Sequence, residues 1–163
     1  MSEGRLQGKV CVVTGSTGGI GEAIAELFAE QGGKVVVSGR NTANGDAIVE
    51  RIRSAGNTAE FIRCDVSEDV EMDALMQGCV ERYGGLDVLV NNAAEVHDAH
   101  GPGRDVASLP PEIWDRHLRV NLRSVYYLCR LAIPLFRARS GGAIVNISSE
   151  GLTLIHISAP PRR

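Results

Sequence analysis

Short unbroken apolar runs alternate along this chain with longer stretches in which apolar residues return every three or four positions. Val10 to Val13 is such a run. It breaks at Thr14-Gly15 into a loop with glycines at 15, 18, 19 and 21, after which apolar residues recur at Ile20, Ile24, Leu27 and Phe28. The pattern predicts a buried strand, a glycine turn and an amphipathic helix with those four residues inward. Lys34-Val35-Val36-Val37 opens a second strand ending at Ser38-Gly39-Arg40. Asn41 or Thr42 then caps a helix through about Ala55, with Ile48 and Ile52 on its inner face and Gly56 as its stop. Phe61 to Cys64 closes a third strand, and the next helix buries Met72, Leu75, Met76 and Cys79 before ending at Gly84-Gly85. Leu86 to Val90 is a fourth strand. After a polar, Gly- and Pro-containing loop, Glu95 to Pro111, a long helix begins with the stripe Leu118, Leu122, Val125, Cys129, Ala132 and Ile133, and Pro134 is expected to bend or end it. Gly142 to Ser149 is a fifth strand.

Strands and helices that alternate at this spacing predict an α/β fold, a parallel sheet with helices on both faces. In such sheets ligands sit beyond the carboxyl ends of the strands, which directs attention to the residues just after each run. Glycines at 15, 19 and 21 permit positive φ and close approach of a ligand, and the helix that follows aims free N–H groups and its positive dipole end at that point. Glu22 and Ala23 stand where a nucleotide-triphosphate loop carries Lys-Ser/Thr, so the loop, with Ser16, Thr17 and Ile20, reads as a dinucleotide site rather than a simple structural turn.

After the second strand of such a fold, a carboxylate holds a ribose 2′-OH, whereas an arginine accommodates a 2′-phosphate. Positions 39 and 40 are Gly and Arg, so NADP is expected over NAD, with solvated surface as the plain alternative for Arg40. Asp65, followed by Val66 at the end of the third strand, has two readings: acceptor for an adenine amino group, or turn chemistry with Ser67, Glu68 and Asp69. Asn91-Asn92-Ala93-Ala94 places two amides at a strand end, where they bond neighbouring backbone and leave a platform for a flat ring. Asn121, at the margin of the helical stripe, either satisfies local backbone or holds a water near the ligand.

Composition changes this picture little. The chain has 163 residues and a net charge of −3 with both signs interspersed, which fits one domain and excludes a basic face for nucleic acid or anionic lipid. Its apolar runs reach about five residues, against the roughly 20 of a membrane span. With no signal-peptide pattern at Met1 to Lys9, a cytoplasmic location is expected. Cys11, Cys64, Cys79 and Cys129 form no CxxC pair and read as reduced core thiols. The four histidines lack metal-ligand spacing, and no metal site is expected.

Thr14-Gly15-x-x-x-Gly19-Ile20-Gly21, Asp65-Val66, Asn91-Asn92-Ala93, Val120-Asn121 and Gly142 to Ser149 together resemble the short-chain dehydrogenase/reductase family over roughly residues 5 to 152. The resemblance implies a Rossmann-type doubly wound parallel sheet binding NAD(P). It also implies hydride transfer between the nicotinamide and the alcohol or carbonyl carbon of a small molecule. It assigns the family's catalytic Asn to Asn121 and its catalytic Ser to Ser149, and by analogy suggests that the long helix packs against a second subunit. Ala94 stands where the family more usually has glycine.

The family also has a Tyr-x-x-x-Lys pair, in which the lysine lowers the tyrosine's pKa, roughly a dozen residues past the serine. That tyrosine would fall near position 162, and Thr153 to Arg163 hold neither residue. The expectation is therefore a shortened product: an NAD(P)-binding domain over 1–152, incomplete after its fifth strand, and a divergent tail of coil over 153–163 ending in Pro160-Pro161-Arg162-Arg163. Such a chain is weak or inactive as an oxidoreductase. The alternative is a dinucleotide-binding or protein-interaction module that performs no chemistry and pairs through its open sheet edge.

Overall fold

The computed structural model describes residues 4–95, 107 and 109–148. In chain order the elements are β1 (Val10–Thr14), α1 (Gly19–Glu30), β2 (Lys34–Gly39), α2 (Thr42–Ser54), β3 (Thr58–Arg63), α3 (Asp69–Tyr83), β4 (Val88–Asn91), α4 (Pro111–Leu118), a π turn (Arg119–Arg123), α5 (Ser124–Ala138) and β5 (Ala143–Asn146). The five strands make one parallel sheet in the order β3-β2-β1-β4-β5. Among the described residues, no helix is long and apolar enough to cross a membrane.

Continuous apolar runs suit strands covered on both faces, and the period of two divides each run between two cores. Cys11, Val13, Val35, Val37, Val88 and Val90 pack with Ala25 and Ala29 of α1 and with Ile48, Val49 and Ile52 of α2. Val10, Val12, Val36 and Leu89 point the other way, onto Met72, Leu75 and Cys79 of α3 and Leu128, Ala132 and Phe136 of α5. Asn41 caps α2 by accepting from Asn44 N–H at 3.1 Å, and Gly84 ends α3 in the left-handed conformation. Asp87 closes the amino-terminal edge of the sheet. It accepts from Val10 N–H at 2.8 Å and Arg139 Nε at 3.2 Å, which ties β1 and the end of α5 to the start of β4.

Two expectations need correction. The buried line of α1 is Gly21, Ala25 and Ala29, while Ile20 and Leu27 are 66% and 52% exposed. Small residues four apart let the helix lie close on β1 and β2, and the bulkier Ile24 and Phe28 flank that line, half-buried. The stripe assigned to the long helix is also displaced. Its buried residues are Val120, Ser124, Leu128, Ala132 and Phe136, whereas Leu118, Leu122 and Ile133 face outward. The reason is the π turn: Ser124 N–H bonds Arg119 C=O five residues back, so one extra residue rotates everything before it relative to everything after. Pro134 does not end the helix, which runs on to Ala138. Pro134 is exposed, and Ala132 and Phe136 on either side of it are both buried in the core, holding the helix against the sheet.

The fourth strand begins at Val88, later than the expected Leu86, although Asp87 N–H still bonds Val10 C=O at 2.9 Å. Among the described strands β5 is the outermost, beside β4, and all four of its residues are exposed. The tail, 153–163, lies outside the described residues.

Candidate functional site

The strand order changes direction at β1, with β2 and β3 on one side and β4 and β5 on the other. A cleft of about 320 Å³ opens at that point, beyond the carboxyl ends of the strands. The β1–α1 loop contributes Gly15, Thr17 and Gly18 to its walls, and the end of β2 contributes Gly39, Arg40 and Asn41. The end of β3 brings Cys64, Asp65 and Val66, the end of β4 brings Ala93, Ala94 and Glu95, and the π turn brings Val120.

Two glycines of the loop are required by geometry. Gly15 has φ +63°, and a Cβ on it would stand 2.7 Å from Ala93 Cα; a Cβ on Gly21 would stand 2.5 Å from both Gly15 C=O oxygen and Asn92 Nδ2. Around Gly18 and Gly19 the space is open, and no side chain caps α1. The helix therefore presents its first turn uncapped beside the cleft, where a phosphate suits it. Ser16 is fully buried: its hydroxyl donates to Val13 C=O at 2.7 Å and accepts from Ser38 N–H at 2.9 Å, locking the loop to the end of β2.

Thr14 performs the matching service toward β4. Its hydroxyl accepts from Asn92 and Ala93 N–H, each at 3.1 Å, and donates to Val90 C=O at 3.3 Å. The Asn92 amide donates to Thr14 and Gly15 C=O at 2.9 and 3.1 Å, and Asn91 donates to Asn146 Oδ1 at 2.8 Å. Both amides thus hold strand ends in place and leave Ala93 and Ala94 facing the cleft. Ser140 is the sole non-glycine with positive φ among the described residues, so Ala94 needs no glycine-like backbone.

Asp65 makes the local turn of its second reading. Its Oδ1 accepts from Ser67 N–H at 2.9 Å and Ser67 Oγ at 2.8 Å, a local turn, and the residue still lines the cleft. Burial raises its carboxyl, but the two Ser67 bonds and then Arg40 and Arg116 bring it below the ordinary value. Glu71 fixes this corner by accepting from Asp65 N–H and Arg63 Nη1, both at 2.7 Å; the Arg63 bond first, then the backbone bond, lowers its pKa. Burial, followed by the charges of Glu71 and Asp65, pushes the Cys64 thiol up to about 12, so it stands in the cleft wall as a neutral group.

Asn121 sits in the π turn and serves backbone. Its Oδ1 accepts from Glu95 N–H at 2.8 Å and its Nδ2 donates to Glu95 C=O at 3.1 Å. Glu95, which sequence reasoning left inside a loop, is thereby clamped at the cleft. Its Oε2 lies 3.1 Å from Arg116 Nη2 and 3.9 Å from Arg40 Nη1. The cleft thus gathers Gly15, Thr17, Arg40, Asp65, Val66 and Ala93, with Gly19, Ile20 and Gly21 in the helix turn beside it; Ser149 lies outside the described residues.

Known proteins repeat this architecture. A 3beta-hydroxysteroid dehydrogenase of Mediterraneibacter gnavus is 42% identical over 146 residues, covering 90% of this chain and 51% of the relative. A metagenomic short-chain oxidoreductase solved in complex with NADP is 39% identical with a TM-score of 0.81, over 88% of this chain and 63% of that one. A hydroxysteroid dehydrogenase of Escherichia coli is 34% identical with the same TM-score, over 89% of this chain and 59% of that one. The chain spans about half the length of the curated relatives it matches. Its lineage is that of the short-chain oxidoreductases. Residues 9–155 match the short chain dehydrogenase family, and with the glycine loop, the strand order and the cleft in agreement, the chain belongs to that family.

Proposed function

We propose that this chain supplies the coenzyme-binding part of an NADP-preferring oxidoreductase acting on a small alcohol or carbonyl compound. The observation that carries the reading is Arg40: it follows Gly39 at the end of β2, lines the cleft, and offers a permanently charged fork where an NAD site places a carboxylate. Gly15, Gly19 and the uncapped start of α1 receive the pyrophosphate, Asp65 and Val66 border the adenine, and Asn92 holds Ala93 beneath the nicotinamide end. When bound, the coenzyme exchanges a hydride with the substrate carbon. Ser149 polarises the substrate oxygen. Asn121 holds the Glu95 backbone, which fixes the floor of the cleft on that side. NAD is the second coenzyme the loop accommodates.

Calorimetric titration with NADPH and NADH tests this assignment. The unmodified chain is expected to take NADPH more tightly, and Arg40→Ala to weaken NADPH about tenfold with NADH unchanged. Equal affinities for both coenzymes refute the NADP preference, and uptake of neither refutes the dinucleotide reading. Because Thr153 to Arg163 contain no Tyr-x-x-x-Lys pair, we expect little NADPH oxidation by these 163 residues with a panel of carbonyl compounds. The exposed β5 favours, as a second reading, a binding module that pairs with a partner and turns nothing over. For the outward apolar face formed by Trp114, Leu118, Leu122 and Tyr126 we assign a second copy of the chain, to be checked by light scattering of the unmodified chain and of Leu122→Glu.

A further inference from the structure

Glu95 Oε2 is met from two directions, by Arg116 Nη2 of α4 at 3.1 Å and by Arg40 Nη1 beyond β2 at 3.9 Å. Two cations from distant parts of the chain converge on one carboxylate oxygen at the cleft. Asn121 grips the Glu95 main chain on both its N–H and its C=O, so the backbone is fixed independently of the side-chain ion pairs. Arg116 lies four residues before Val120, a residue of the cleft wall. Burial raises the Asp65 carboxyl, and beside Ser67 it is Arg40 and Arg116 that bring it down, so the field of both guanidinium groups reaches the cleft.

We propose that Arg116 is a second 2′-phosphate ligand of the coenzyme site and that Glu95 occupies the phosphate's place, pairing both arginines until NADP(H) displaces it. The inference rests on the dinucleotide reading above. A phosphate monoester carries close to two negative charges and three acceptor oxygens, so it can serve two guanidinium groups that one carboxylate oxygen now serves. Coenzyme without the 2′-phosphate has nothing to offer in exchange and leaves the Glu95 pairs intact. Glu95 and Arg116 therefore act on the choice between the coenzymes and not on dinucleotide binding in general. Both side chains are partly exposed, so their substitution leaves the packed core untouched.

Isothermal titration of the unmodified chain, R116A and E95Q with NADPH and with NADH tests the proposal. R116A is expected to bind NADPH about tenfold more weakly, and E95Q about threefold more tightly, with NADH affinity unchanged in both. The opposite signs set this apart from a general loosening of the loop, which would weaken both coenzymes in both variants. An NADPH preference unchanged in R116A, or an equal loss for both coenzymes, overturns the inference and leaves the Arg40 reading standing. If R116A does not fold, E95Q decides alone, and no gain for NADPH overturns the proposal. Uptake of neither coenzyme by the unmodified chain overturns the dinucleotide reading and this inference together.

Discussion

Leu89 of β4 and Ile144 of β5 are register partners on one face of the same sheet, yet Leu89 is fully buried and Ile144 is 37% exposed. Val90 and Val145, partners on the opposite face, differ in the same way. In sequence the two strands are similar short apolar runs. The difference lies in their neighbours: β4 has a strand on each side, packs on α5 and contributes to both cores, whereas β5 is the outermost of the described strands and contributes to neither. An apolar run specifies a strand locally, but only surrounding elements remove it from water.

This contrast can be broken by measurement. Leu89→Ala is expected to cost about 3 kcal/mol of unfolding free energy and Ile144→Ala less than about 1, read from urea midpoints; equal losses would mean that β5 is covered in solution. Asp87→Ala comes next at about 2 kcal/mol, because it strands the buried Val10 N–H and releases Arg139 at the base of β4. A smaller effect is expected from the carboxylates around the cleft. Asp65 and Glu71 have depressed folded-state pKa values, so their stabilisation is complete above the unfolded values and lost as pH falls through the folded ones. Unfolding midpoints should hold between pH 7 and 5 and decline below about pH 4, with a shallower decline in Glu71→Gln. The least change is expected in thiol chemistry. Burial first of all raises Cys11, Cys64 and Cys79 to about 12, and none of the three should be alkylated in the folded chain at pH 8.

The strands, their parallel arrangement, the glycine loop and the positions of Arg40, Asp65 and Asn92 at strand ends were legible in the sequence. Each depends on residues close together in the chain: a run of β-branched side chains, a glycine that must adopt positive φ, a polar residue where a strand stops. The faces of the helices were not legible in the same way. On α1 the line Gly21, Ala25 and Ala29 won over bulkier residues because close approach to β1 and β2 needs small side chains. On the long helix, the π turn changed the phase that a regular period assumes.

The sequence by itself determined that a cleft with a glycine loop in its wall would form beyond β1, because strand, turn and helix are there dictated within one continuous segment. Only the tertiary structure decided what else stands in that cleft. Glu95 meets Arg40 and Arg116 because three segments far apart in the chain are brought to one sheet edge, and side-chain charges pair through space.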